Sequence, residues 1–525
     1  MPKVLISDKM SPLAEEILKT RGVEVEVATG LSPEELVEKI KGFDGLIVRS
    51  ATKVTNEVLE AAERLKAVGR AGIGVDNIDV QGATQHGIVV MNTPSGNAIT
   101  TAEHALALLF ALARQIPPAD RSTQAGKWEK SRFMGVEVTG KTLGIIGCGN
   151  IGAIVAERAQ GLKMRVIAYD PFLSPDRALD LGVDKVELDD LLARADFISL
   201  HVPRTEQTAG MIDAEALKKT KPGVRIINCA RGGLVVEADL RAAIESGQVA
   251  GAAFDVFSEE PARENVLFGL EQVICTPHLG ATTTEAQEKV AVQVAEQIAD
   301  YLLTGAVTNA LNMPSLSAED AARLAPYMTL AQQLGSFAGQ LTRTGLKQVR
   351  IEYEGHVAEL NCRPLTQAAI TGLLSPILDS VNMVNAPILA RERDIAVTEV
   401  KHDRDSDYQT LIRLTVTTER GPRCVAGSLF GGSKPRIVEV KGIAVEAELG
   451  SHMLYISNED KPGLIGSLGT ILADAQVNIA TFHLGRAEPG GDAIALVHVD
   501  EPIAEDVLAR ITALPQIKQV VLLHF

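Results

Sequence analysis

No apolar run in this chain approaches the ~20 residues that a bilayer-spanning helix needs. The longest, residues 104–113, opens on His104 and is followed at once by Arg114, so no membrane-spanning helix is expected. Cysteine is scarce and unpaired: five residues (148, 229, 275, 362 and 424) lie scattered, without a C-x-x-C pair. That spacing excludes a disulfide framework or a zinc site and suits buried thiols in a reducing cytoplasm. Positive charge is short as well. With 51 Lys and Arg against 67 Asp and Glu the formal charge is −16, a field that repels nucleic acid and anionic membranes. Local basic clusters can still bind a small anion. Aromatics are few, 4% of residues with Trp128 the one tryptophan, in a chain 46% hydrophobic and 22% charged, the balance of a soluble globular protein. The opening MPKVLISDKM enters a strand directly, so neither a signal nor a transit segment is expected, and the cytoplasm is the expected compartment.

What is present is regular alternation, over 525 residues, a length that suits roughly three or four domains. Up to residue 314, short apolar runs alternate with helical stretches, the βαβ signature of parallel sheets. KVLIS, VEVEVA, GLIVRS and LKAVGRAG read as strands, with PEELVEKIKG and NEVLEAAERL as helices between them. TTAEHALALLFALARQ reads as a long helix, with Thr100 and Glu103 at capping-box spacing. A second series starts at KTLGIIGCGNIG and continues through RVIAYD, DFISLHVP, VRIINCARGG, VAGAAFDVF and QVICTPHLGA to another helix over 283–304. NALNMPSLSAED then reads as a linker. Beyond it come a helix (APYMTLAQQLGSFAGQLT), alternation in KQVRIEYEG and Thr/Val-rich strands from 411 to 447. Residues 453–525 read as strand, helix, strand, strand, helix, strand, a small ferredoxin-like sandwich.

GIIGCGNIG places Gly147, Gly149 and Gly152 between a strand and a helix. Bare glycines there let the backbone approach a pyrophosphate at the helix N-terminus. One G-x-G-x-x-G is weak, but the next strand ends at Asp170, close to the spacing of a carboxylate that accepts from ribose hydroxyls and repels a 2′-phosphate. NAD is therefore favoured over NADP. Further on, INCARGGLV sets Arg231 at a strand end beside Gly232 and Gly233. A guanidinium matches a carboxylate bidentately, and bare neighbours permit close approach. Taken alone, such an arginine is more often a surface salt bridge. Glu260, in SEEP, and His278, in PHLGA, follow the next two strands, so the fold should gather all three above one sheet edge. A histidine with a carboxylate partner is a proton shuttle of raised pKa. Asp255 either faces a nicotinamide carboxamide or braces a turn.

These units together, GCGNIG with Asp170, CARGG, DVFSEEP and PHLGA, resemble the D-isomer-specific 2-hydroxyacid dehydrogenases over residues 1–314. With the two further regions the whole chain is similar to the long branch of that family, which oxidises D-3-phosphoglycerate at the entry to L-serine biosynthesis. The resemblance implies a doubly wound Rossmann-type NAD domain (98–286) inserted in a flavodoxin-like substrate domain (1–97 and 287–314). An α+β intervening regulatory domain (315–450) and a C-terminal βαββαβ ACT domain (451–525) would follow. It implies that Arg231 holds the substrate carboxylate, that His278 is the acid/base and that Glu260 is its partner. It assigns Asn150, Ile151, Val202, Cys229, Ala230, Asp255, His278, Gly280 and Ala281 to NAD beside the glycines and Asp170. To the phosphorylated substrate it assigns Arg49, Ser50 and Thr52 of IVRSATKV, Gly74 of RAGIGVDN and Asn97 of NTPSGN, with Lys130 and Arg132 as additional candidates. In the ACT module NEDKPG and VNIATFHLGR supply Asp460, Gly463 and Asn478 for an amino-acid effector, L-serine, although Asn458 stands where family members carry His or Tyr. A ligand-free dimerisation module is the alternative for that domain. The resemblance further implies a homotetramer and side reduction of 2-oxoglutarate or a similar acid. Two rivals remain: a dehydrogenase for hydroxypyruvate or glyoxylate, and an NAD-sensing scaffold without turnover.

Overall fold

A computed structural model describes residues 1–402 and 407–525. Its first sheet holds β1 (Lys3–Ile6), β2 (Glu24–Val27), β3 (Gly45–Val48), β4 (Ala67–Arg70) and β5 (Val89–Asn92), all parallel in the order 2-1-3-4-5. That is the flavodoxin-like order. Sequence reading missed β5, whose VVMN is buried throughout; a strand covered on both faces shows no alternation to detect. The helix Pro33–Ile40 starts on a true capping box, with Ser32 and Glu35 answering each other's backbone N–H. One anticipated box is absent. Helix Ala98–Ala113 begins two residues before Thr100, which lies inside it, while Glu103 pairs with Arg158.

The second sheet contains β6 (Thr142–Ile146), β7 (Arg165–Tyr169), β8 (Asp184–Lys185), β9 (Phe197–Leu200), β10 (Val224–Asn228), β11 (Val249–Phe254) and β12 (Val273–Cys275). Its order, β12-β11-β10-β9-β6-β7-β8, is the Rossmann order with one strand added. Two long helices connect the sheets: Ala98–Ala113 leads out of the first, and Thr284–Thr304 returns to it. The second is capped by Thr283 and stopped by Gly305 at φ +76°. It lies so close to β4 that a Cβ on Gly69 would come within 2.6 Å of Val294. The chain then hydrogen-bonds back onto β5, Asn309 O accepting from Asn92 N and Leu311 N donating to Val90 O.

Helix Ala318–Gln340 starts earlier than the sequence suggested, capped by Ser317 and carrying Pro326 within it. It covers a six-stranded sheet whose strand Leu346–Gly355 buries Val349, Ile351 and Tyr353 on the alternating side. Of the span 315–450, residues 403–406 lie outside the described residues. The last unit is a four-stranded antiparallel sheet, Met453–Glu459, Ile479–Arg486, Asp492–Val499 and Ile517–Leu523, with helices Leu464–Asp474 and Glu505–Thr512 on one face. Its other face shares one core with the preceding unit, where the rings of Phe337 and Tyr455 meet edge to face at 5.9 Å. No helix among the described residues is long and apolar enough to cross a membrane.

Candidate active site

In open parallel sheets ligands gather beyond the carboxyl ends of the strands, where the strand order reverses. In the second sheet this point lies between β6 and β9, and the glycine turn follows β6. Gly147 adopts φ +91°, and a Cβ there would strike His201 O at 2.8 Å and Val202 Cγ1 at 2.7 Å. A Cβ on Gly152 would lie 2.0 Å from Gly147 O, whereas at Gly149 it would meet nothing within 4 Å. Two glycines thus close the turn and the third leaves a bare cradle. Helix Asn150–Gly161, with Ile151 in its first turn, opens from that cradle. Asp170, just past β7, accepts from Cys148 N and Phe172 N, each at 2.8 Å. Its carboxylate is thereby held against the glycine turn, with lone pairs left for a ribose. These residues fit a dinucleotide.

Beyond β10, Asn228 is fully buried and clamps the following turn from both sides. Its Oδ1 accepts from Ala230 N at 3.1 Å and its Nδ2 donates to Arg231 O at 2.9 Å. Cys229 is buried beneath this turn. Gly232 is obligatory, since a Cβ would lie 1.7 Å from Phe257 O. Arg231 therefore leaves the sheet edge in one direction.

Glu260 and His278 form a dyad. His278 Nδ1 and Glu260 Oε2 are 2.7 Å apart, and Glu260 Oε1 accepts from Phe257 N at 3.0 Å. Since the carboxylate only accepts, Nδ1 carries the proton and Nε2 is left for substrate. The Glu260 hydrogen bond raises the His278 pKa above its ordinary value against the effect of burial, and Arg231 is near enough to oppose the rise. Burial would push the Glu260 carboxyl up; the bonds from His278 and Phe257 outweigh it and hold it low.

His278 sits at φ +55°, a left-handed conformation unfavourable for a residue with a side chain. Asp255 explains how it is held. This fully buried carboxylate accepts from Leu279 N (2.7 Å), Gly280 N (2.8 Å) and Thr276 Oγ1 (2.6 Å), with His104 Nε2 at 3.2 Å. Burial favours its neutral form, but these donors keep its pKa below the ordinary value. Of the two sequence readings, the geometry gives the brace: a carboxylate so enclosed has no surface to offer a nicotinamide. Gly280, itself buried, and Ala281 follow on the braced turn.

The first sheet contributes an edge that carries Arg49 and Arg70. Asp8 accepts from Arg49 N (2.5 Å), Thr52 N (3.2 Å) and Thr52 Oγ1 (2.8 Å), and Asn77 Nδ2 donates to Arg49 O and Thr52 O. Thr52 thus braces its loop, while Ser50 stays exposed and the Arg49 guanidinium reaches Lys9 O at 3.1 Å. Arg70, at the end of β4, was missed: it read as strand, although an arginine closing a buried parallel strand on the same edge as Arg49 was a usable signal. Burial, then the charges of Arg231 and Arg49, lower its pKa to about 10. Among the described residues its Nε has no hydrogen-bond partner, nor do the buried Asn97 Oδ1 and Thr93 Oγ1. Gly74 lies directly under Arg231 Nη2, 1.6 Å from where a Cβ would be. Arg132 belongs elsewhere; it pairs with Glu129 and Glu271, ahead of β12 rather than past it. Lys130 is exposed.

In the last unit Gly463 (φ +101°) caps helix Leu464–Asp474 as expected, but Asp460 is already engaged by Arg486 (3.0 Å) and Gly490 N (3.1 Å). Asn478 Nδ2 donates to Asp500 at 2.7 Å. Asn458 is buried, and its Oδ1 has no hydrogen-bond partner among the described residues.

Residues 106–280 match the family described as D-isomer specific 2-hydroxyacid dehydrogenase, NAD binding domain. Residues 323–441 match the D-3-phosphoglycerate dehydrogenase intervening domain, and 452–516 the ACT domain. The chain is 45% identical over 520 residues to a D-3-phosphoglycerate dehydrogenase of Synechocystis sp., spanning 99% of this chain and 94% of that one. It is 43% identical over 526 residues to the enzyme of that name from Methanocaldococcus jannaschii, spanning 100% of both. Among solved structures it is similar to D-lactate dehydrogenase from Aquifex aeolicus complexed with NAD and lactic acid, with TM-score 0.54 and 26% identity over 60% of this chain and 100% of that one. The glycine cradle, the histidine–carboxylate dyad and full-length identity above two-fifths lead to one conclusion: the chain belongs to the D-3-phosphoglycerate dehydrogenase family.

Proposed function

We propose that this chain oxidises D-3-phosphoglycerate to 3-phosphohydroxypyruvate with NAD, the entry step of L-serine biosynthesis. The observation that carries the reading is the Glu260–His278 dyad beside Arg231, on the sheet edge that holds the glycine cradle. NAD, when bound, supplies the hydride acceptor; its pyrophosphate would lie over Gly149 and the start of helix Asn150–Gly161, its ribose by Asp170, and Val202, Cys229 and Ala230 would line the path between. His278 Nε2 takes the proton of the C2 hydroxyl, and Glu260 stabilises the imidazolium that results. Arg231 holds the carboxylate and polarises the carbonyl that forms. Arg49 and Arg70, on the opposing edge, receive the phosphate, with Asn97 between the two sheets. Substrate-binding residues 1–97 and 287–314 thus face an NAD-binding segment 98–286, while 315–450 and 451–525 serve regulation. We further infer a cytoplasmic homotetramer with L-serine as effector, a reading that the ACT domain match supports.

An unphosphorylated acid leaves both arginines of the first sheet without an anion. NADH formation measured over a panel of D-2-hydroxy acids should therefore favour D-3-phosphoglycerate in kcat/KM by about a hundredfold or more, the scale of two lost charge-assisted bonds. Equal rates with D-lactate or D-glycerate would remove Arg49 and Arg70 from the site. Reduction of 2-oxoglutarate, which also carries a second anionic end, should be measurable in the reverse direction.

A further inference from the structure

The guanidinium of Arg231 is not held by its own side of the cleft alone. Its Nε–H donates to Asp76 Oδ2 at 2.8 Å, while Nη1 donates to Ala230 O at 2.6 Å. Arg231 follows β10 of the second sheet; Asp76 lies in the loop after β4 of the first. The ion pair therefore spans the cleft. Asp76 is 66% exposed, and an ion pair that open to water contributes little to stability. Its importance has to be sought in where it puts the arginine.

A guanidinium offers two bidentate edges, Nε with Nη2, and Nη1 with Nη2. Asp76 takes Nε and closes the first. Gly74 lies against Nη2, with no room for a Cβ between them. Asp76 at Nε and Ala230 O at Nη1 together fix the plane of the fork, and of its five N–H groups one on Nη1 and both on Nη2 are left for an incoming anion. The Asp76 charge also acts on Arg70 in the sense opposite to that of Arg231, raising the pKa that Arg231 lowers.

We propose that Asp76 is a positioning residue for the reaction: reaching across from the first sheet, it holds Arg231 Nε and turns the Nη end of the fork toward the substrate carboxylate. The inference rests on the reading of Arg231 as carboxylate clamp given above. Lowering the exposed charge alone would not do this, so the aim of the fork, not net charge, is what substitution should disturb.

The test compares Asp76→Ala and Asp76→Asn, each alone and combined with Arg231→Ala, in the full-length enzyme. Steady-state kcat and KM for D-3-phosphoglycerate are read with NADH affinity, and single-turnover rates with enzyme in excess keep the slow variants measurable. Asp76→Ala should raise KM by about tenfold or more, the loss of one charge-assisted hydrogen bond. Asp76→Asn keeps an oxygen for Nε–H and should recover much of that loss. NADH affinity should hold within about twofold. In the Arg231→Ala background Asp76→Ala should change nothing further, because no fork remains to be aimed. An unchanged KM in Asp76→Ala, or losses that multiply in the double variant, would overturn the proposal. Wild-type turnover in Arg231→Ala would instead overturn the clamp reading itself. Should Asp76→Ala fail to fold, Asp76→Asn in both backgrounds carries the same comparison, with non-additive loss expected and additive loss contradicting it.

Discussion

The proposed reaction concentrates its proton chemistry in one strained residue, His278. Its left-handed backbone is over-determined by Asp255, which fastens the two following N–H groups, and its ring is oriented by Glu260. The sign of its titration follows from that partner. Glu260 raises the imidazole pKa, so oxidation, which needs a free base, weakens as pH falls through the raised value. Reduction, which needs the imidazolium, weakens as pH rises through it. Glu260→Gln removes the cause of the rise, and both limbs should move to lower pH in profiles of kcat/KM. Limbs that stay in place would leave Glu260 a role in holding the loop only.

At the scale of elements, strand ends make the site and glycines decide what fits there. Gly149 and Gly152 separate the two roles a fingerprint glycine can have. Alanine at Gly152 would clash with Gly147 O, so Gly152→Ala should lower the melting temperature; alanine at Gly149 meets open space. Gly149→Ala should melt like wild type yet bind NADH about tenfold more weakly, because its methyl stands where the pyrophosphate approaches. Equal loss of stability in both variants would deny the cradle. Much of this layer was legible in advance. The G-x-G-x-x-G turn, Asp170 and the strand-end positions of Arg231, Glu260 and His278 follow from spacing, because a βα unit fixes where its strand stops. What escaped was tertiary. The fully buried β5 shows no alternation, Arg70 meets Arg49 only when β4 is set beside β3, and the partners of Asp255 and Thr52 arrive from 21 and 44 residues away. The capping box placed at Thr100 failed because the chain had already turned helical at Ala98.

The whole molecule divides its task across a cleft. Arg49 and Arg70 belong to the first sheet and the dyad to the second, joined by two helices and by the Asp76–Arg231 pair. The ACT unit shares a core with the intervening unit, and Val384 of that unit packs into the core of the first sheet. The units are therefore packed in series, and a ligand at the ACT end could act on the first sheet only by preferring one arrangement over another. Calorimetry with the intact chain, paired with light scattering, should register L-serine binding to a tetramer. On the proposed reading serine competes with Arg486 for the Asp460 carboxylate, and Arg486→Ala should tighten binding. A silent titration of both proteins would leave the ACT unit a dimerisation module.

The proton belongs to His278 in every step assigned above, which makes one comparison decisive. NADH appearance from D-3-phosphoglycerate and NAD, followed by fluorescence in wild type and His278→Ala, isolates that role. Wild type should turn over, and the variant should lose about two or more powers of ten in kcat, the usual scale for a missing acid/base, while binding NADH normally. A variant that keeps wild-type kcat would contradict the assignment of His278 as the proton acceptor.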